Sequence, residues 1–322
     1  MLIHKLSIKE FRGIRCCKDL IKLSHLTVLI GRNNSGKSTI LEALSLLPNP
    51  NINDGITGRL RMESLLNLRR SKLKGYKPLL YLYAGSSTIK YYINNEILEL
   101  QINEDGYRTK INERDNASKP ELAEFFHTKP DQLENLVLFI PNNTSIIQLI
   151  ESKMDSLKEL IMKEGHHAKI AKILNECVDD EYSDIVFNGT IRIRKILPNN
   201  FVYIPLSDLG SGAEKVVKIM SLVEIIKPKL LLIDDFEAGF HPSLIKRVLQ
   251  WLNNKKWQTI ISTHNIDVLN KLVEINPVDV SILLLKKSNE DILSQKVFTL
   301  EKLENYLNAN TDPRLLVDSL GL

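Results

Sequence analysis

Residues 26–47 read LTVLIGRNNSGKSTILEALSLL. They constrain the fold more than any other stretch. Residues 26–30 are continuously apolar, the pattern of a strand buried on both faces. Gly31 to Ser38 then fits G-x-x-x-x-G-K-[ST], and a helix-like run follows. A polyphosphate needs a concave ring of backbone N–H donors, and the following helix adds the positive end of its dipole. The candidate binding residues are Gly31, Asn33, Asn34, Ser35, Gly36, Lys37, Ser38 and Thr39. Lys37 would bridge the β- and γ-phosphates, and the Ser38 hydroxyl would ligate Mg²⁺.

A second acidic element stands at residues 230–237, LLLIDDFE. Four apolar residues predict a buried strand with Asp234 at its exit. Parallel sheets present ligand-binding groups at the carboxyl ends of their strands, so Asp234 is the candidate metal ligand beside Ser38. Asp235 points another way, towards an attacking water. Strand patterns at 258–263 and 280–287 alternate with helical ones in the last third. That alternation predicts an α/β fold with a parallel sheet covered on both faces. Upstream, residues 79–111 alternate around Asn94-Asn95 and Asp105-Gly106, which predicts an antiparallel meander. Residues 144–177 turn helical, with Gly165 dividing them into two helices.

Composition excludes other classes. Of 322 residues, 43% are hydrophobic and 25% charged, near the soluble globular average. No uncharged apolar run approaches the ~18–20 residues that span a bilayer, and the amino terminus lacks a secretory pattern. Three cysteines, Cys16, Cys17 and Cys177, are too few for a disulfide framework. A cytoplasmic protein without a membrane partner is expected. The net charge of +4 neither demands nor excludes nucleic acid. The basic cluster Arg69, Arg70, Lys72, Lys74 and Lys77 reads as a solvated face, with DNA docking the alternative.

Further motifs resemble the ABC-type ATPases of the SMC-like and OLD-like class, AAA-type P-loop NTPases. Phe11-Arg12 is similar to that class's arginine-bearing turn. Residues 209–214, LGSGAE, resemble its signature motif. Residues 234–242, DDFEAGFHP, resemble a joined Walker B and D-loop, and Ser262-Thr263-His264 resembles the strand-end switch histidine. The likeness covers roughly residues 1–47 and 200–286. It implies an ABC-ATPase-like head whose core spans 1–47 and 200–300 with an antiparallel lobe. Residues 48–199 would form a strand-rich and helical insert, and 301–322 closing helices.

The resemblance also implies function: Mg²⁺-dependent ATP binding and hydrolysis in a head-to-tail homodimer formed on ATP binding. Such a dimer would drive a partner, a separate nuclease or other effector, in DNA maintenance, repair or defence. Ser211 and Gly212 would reach the γ-phosphate held by the opposite subunit. His264 would touch that phosphate, and Arg12 would approach the triphosphate from the amino-terminal lobe. A transporter's ATP-binding subunit, a phosphoryl-transfer kinase and a nucleotide-gated scaffold with little hydrolysis are the alternatives.

Three departures stand out. Asp235 stands where many relatives place glutamate, which makes Asp235 the first candidate base and Glu237 the second. Ala213 replaces a glycine of the signature. The Q-loop glutamine has no counterpart, since Gln101 falls in the meander and Gln148 in the helical region.

Overall fold

The computed structural model describes residues 1–316 apart from Arg70, Lys72, Glu113, Asn116, 177–179 and Gly189. Cys177 and residues 317–322, the end of the expected closing helices, lie outside the described residues, as do two members of the basic cluster.

Five mutually parallel strands form the centre. From one edge they are Val137–Ile140, Leu230–Ile233, Gln258–Ser262, Leu26–Gly31 and Val280–Lys287. Their apolar runs serve two cores at once. Successive side chains of a strand point to opposite faces. Val28, Ile30, Leu231, Ile233, Ile282 and Leu284 accordingly enter one hydrophobic cluster. Leu29, Leu230, Leu232, Leu283 and Leu285 enter the other. Helices Ser211–Ile226, Pro242–Asn253 and Ile266–Ile275 cover the first face. Helices Lys37–Ser45 and Arg61–Leu68 lie on the second.

Beyond Val280–Lys287 the sheet continues through Ile292–Phe298, Ile14–Cys17 and Lys5–Phe11 into the meander Ser86–Ile93, Glu96–Asn103 and Tyr107–Ile111. The meander is therefore part of the same 13-stranded sheet as the amino-terminal lobe. Its pairing with Lys5–Phe11, Ile8 opposite Ile89, runs straight across the division at residue 48. Val137–Ile140 likewise sits in the parallel core. Tyr91, fully buried in the meander, donates from its hydroxyl to the Ala43 carbonyl at 2.6 Å. The meander thus holds the helix that follows the glycine loop.

The helical region holds three helices rather than two: Thr144–Ser156, Lys158–Lys163 and His166–Asn175. Gly165 separates the last two with a left-handed φ of 66°. The extra break falls at Leu157, whose N–H closes a shorter turn onto the Met154 carbonyl. A separate antiparallel sheet, Tyr182–Asn188, Thr190–Leu197 and Asn200–Pro205, packs on these helices. The chain then runs directly into the helix Ser211–Ile226.

Candidate functional site

The carboxyl ends of four adjacent strands deliver four loops to one place: 31–38, 234–237, 263–265 and 141–143. Gly31 ends its strand at φ 144°, and a Cβ there would lie 2.6 Å from the Leu285 carbonyl oxygen and 2.8 Å from Ser35 Oγ. Only glycine fits that approach. Helix Lys37–Ser45 starts immediately after Gly36, so its unpaired N–H groups face the loop. Lys37 folds back, and its Nζ donates to the carbonyls of Gly31 and Arg32, each at 3.0 Å. Burial lowers the Lys37 pKa, while Asp235, Asp234 and Glu237 act to raise it. The loop therefore carries a desolvated cation facing three acids. Ser35 Oγ is buried with no hydrogen-bond partner among the described residues.

The acidic turn is pinned by the neighbouring strand. Ser262 Oγ donates to Asp234 Oδ1 at 2.5 Å and accepts from the Asp235 N–H at 2.8 Å. The Phe236 N–H donates to the Ser262 carbonyl at 3.1 Å. These bonds hold Asp235 at φ +45°, a left-handed conformation that costs an aspartate about 1 kcal/mol or more. Asn142 Nδ2 donates to Asp235 Oδ2 at 3.3 Å, and His264 Nε2 stands 3.7 Å from Oδ1. The Asp235 carboxylate is thus bracketed from two strands. Glu237 Oε1 accepts from the His264 N–H at 3.0 Å, while its Oε2 is buried without a partner among the described residues. Arg314 Nη1 donates to the His264 carbonyl, tying the closing segment to the same loop.

Ser211 and Gly212 begin their helix against the turn after the acidic element, not against residues 31–38. A Cβ on Gly212 would run into the Gly239 carbonyl, and one on Gly239 would lie 3.4 Å from Ser211 Oγ. Overpacking of this kind costs roughly 1–3 kcal/mol, so Gly212→Ala should lower the urea midpoint accordingly. An unchanged midpoint would show that the Gly239 turn moves aside freely.

Three site neighbours escaped the sequence reading. Lys215, one helical turn after Ser211, reaches the carbonyls of Asp235 and Ala238 at 3.5 and 3.4 Å and lies 5.3 Å over the Phe240 ring. Burial lowers its pKa, opposed by Glu237, Asp235 and Asp234. Glu42 and Asn142 are the others. Arg12 ion-pairs with Glu42 of the loop helix at 2.6 Å, and Arg69 pairs with the same carboxylate at 2.6 Å. Arg12 is thereby held against the helix after the loop. Burial draws its pKa down to about 10, against the pull of Glu42. Burial raises the Glu42 pKa, with Arg12 and Arg69 opposing. Gln101 lies in the meander, where its amide donates to Glu99. The amide beside Asp235 is Asn142, and the run into Pro141-Asn142-Asn143 after a buried strand was its available signal.

Comparison with known proteins agrees with this layout. Residues 1–112 match the family model described as "AAA ATPase domain". Residues 83–270, more than half of the chain, match the one described as "AAA domain, putative AbiEii toxin, Type IV TA system". A Helicobacter pylori protein named "ATP/GTP phosphatase" is 22% identical over 368 residues, covering 95% of this chain and 98% of that one. Among solved structures, the Smc head bound to the C-winged helix domain of ScpA superposes with a TM-score of 0.65. It is 15% identical, covering 94% of this chain and 99% of that chain. The SMC head domain from Thermotoga maritima gives 0.55 at 18% identity, covering 93% and 100%.

Proposed function

This chain belongs to the AAA-domain family matched by residues 83–270, and from that membership we propose that its ATPase site is shared between two copies. It is an SMC-like P-loop ATPase. In the proposed arrangement one copy holds the triphosphate with the loop 31–38, and the other covers the γ-phosphate with Ser211 and Gly212. The observation that carries the reading is the placement of Gly212. Gly212 is buried against Gly239 and Phe240, while Gly210 and Ser211 at the helix start are exposed, which supports a role towards a facing nucleotide.

Ser38 and Asp234 would hold Mg²⁺. Their carboxylate and hydroxyl oxygens are hard donors of the kind Mg²⁺ takes, one or two from protein with phosphate and water completing the shell. When bound it would offset charge on the β- and γ-phosphates. The protein's own groups do the rest. Lys37 neutralises phosphate oxygens. Asp235, held by Asn142 and the Ser262-anchored backbone, accepts the proton as water oxygen bonds to the γ-phosphorus and the bond to ADP breaks. His264, 3.7 Å from the Asp235 carboxylate, would help to position the water. Movement of the pair would pass to a separate effector, a nuclease among the candidates. No helix among the described residues is long and apolar enough to cross a membrane.

Mixing two inactive variants tests the shared site. Lys37→Ala keeps an intact signature, and Ser211→Arg keeps an intact loop. Each alone should release little phosphate from ATP. Mixed equally, they should regain about a quarter of wild-type turnover through random pairing of one good loop with one good signature. Failure of the mixture while Ser211→Arg alone stays active would point to a self-contained pocket.

Lys215→Met gives a second measurement. Removing the ammonium leaves the Asp235 and Ala238 carbonyls without that donor and loosens a strained turn. Misplacement of about 1 Å can cost a hundredfold, so kcat should fall roughly 10- to 100-fold with KM little changed. A rise in KM alone would assign Lys215 to nucleotide binding instead.

A further inference from the structure

The small sheet that leads into the signature helix presents an outer face of largely exposed side chains among the described residues. Its inner residues Ile185, Phe187, Ile191 and Ile193 are buried in the main core. Cross-strand partners share a face. Arg194 opposite Tyr203, Ile196 opposite Phe201 and Arg192 opposite Pro205 therefore lie on the outer one. Phe201 is 48% and Tyr203 46% exposed, unusual for aromatic rings on a sheet. The two rings meet edge to face at 5.7 Å, and the Arg194 guanidinium lies 5.2 Å over the Phe201 ring.

Charge selects the occupant. Residues 190–205 carry three basic side chains and no acidic one. Lys195 pairs with Asp180 on the other face. Arg192 and Arg194 make no ion pair within 4.0 Å among the described residues. Their Nε atoms donate to Thr190 Oγ1 at 3.3 Å and Ser183 Oγ at 2.6 Å. Asp184, the register partner of Arg194, brings one carboxylate to the same face, where it stands 3.6 Å from His167. Two guanidiniums beside two open aromatic faces match a polymer that offers flat bases and phosphates together. Base stacking on such rings is sequence-tolerant, and arginine serves both the base face and the phosphate.

We propose that the face formed by Arg192, Arg194, Ile196, Phe201 and Tyr203 binds single-stranded nucleic acid. The strand Asn200–Pro205 leads through a short turn to Ser211. A strand seated here lies on the segment that delivers the signature to the nucleotide. Binding does not depend on the shared ATPase site, so the two readings fail separately.

The test is fluorescence anisotropy of labelled oligo-dT and oligo-U, each of about 20 nucleotides, against the full chain without ATP. A duplex of equal length is the control. Single strands should bind more tightly than the duplex, and the two oligomers distinguish DNA from RNA as the source. Phe201→Ala with Tyr203→Ala should weaken binding at least about tenfold with the salt dependence retained. Arg192→Gln with Arg194→Gln should flatten the log–log salt slope by about 1.4. Wild-type melting temperature and phosphate release verify that both variants fold. The proposal is overturned by absent binding, or by binding that neither variant alters. It is equally overturned if the aromatic variant instead dissolves a nucleotide-free dimer, since the face would then belong to a second copy.

Discussion

Lys37→Ala is expected to abolish detectable nucleotide binding and to cut phosphate release by on the order of 10²- to 10³-fold. The loss has two parts. One is the direct attraction between an ammonium and phosphate oxygens in a site shielded from water, where charges interact more strongly than in bulk. The other is the field left behind. Asp234, Asp235 and Glu237 all act on Lys37, and without it a triphosphate would approach three acids with their lysine counter-charge gone. The folded state should survive. Nζ now satisfies the Gly31 and Arg32 carbonyls, and water admitted by the shorter side chain can take its place. Titration calorimetry with ATP and Mg²⁺, beside a melting curve, measures both. Wild-type affinity in a variant that melts normally would remove Lys37 from the phosphate site.

The central sheet was legible in the sequence because its physics is local. A strand buried on both faces is apolar along its buried length, and the runs within Leu26–Gly31, Leu230–Ile233 and Val280–Lys287 read largely that way. The meander was legible for the opposite reason, a strict alternation that survives in the burial of Ser86–Ile93. Its attachment to Lys5–Phe11 was not, since nothing in either strand names its partner across about eighty residues. Strand Tyr182–Asn188 and helix Lys119–Phe125 were missed. The helix is a single short segment fixed by a Ser118–Glu121 capping box, and the strand gains its register only by pairing with Thr190–Leu197.

The same division runs through the site. Residues 31–38 are contiguous, so one motif contains their whole geometry. Asn142, Lys215 and Glu42 reach it from three separate elements, and each looks ordinary in its own neighbourhood. Lys215 follows a glutamate near a helix start, where a lysine usually meets solvent. The fold buries it because Gly212, lacking a side chain, lets the helix close onto Gly239. Arg12 illustrates the converse. Its motif drew attention to the residue, while its partner Glu42 lies within the apolar-looking helix after the loop.

Asp235→Asn should bind ATP with near wild-type affinity, hydrolyse it on the order of 10²- to 10³-fold more slowly, and accumulate as a nucleotide-bound dimer. General base catalysis alone contributes about 10²- to 10⁴-fold. Asparagine preserves the size of the side chain but cannot take the proton. The backbone should hold, since the Asp235 N–H and carbonyl are engaged by Ser262 and Lys215. The bond from Asn142 should also persist, as an amide oxygen can still accept at the Oδ2 position. Glu237→Gln separates the two candidate acids. Glu237 Oε1 is already taken by the His264 N–H, and a glutamine oxygen keeps that bond in weaker, uncharged form, so turnover should fall less than tenfold, within the scale of a single hydrogen bond. Single-turnover phosphate release and sedimentation with ATP read out both variants. If Glu237→Gln abolished hydrolysis while Asp235→Asn retained it, the proton would pass to Glu237. Asp235 would then serve to hold the turn, its left-handed backbone being a structural requirement rather than a means of aiming a base.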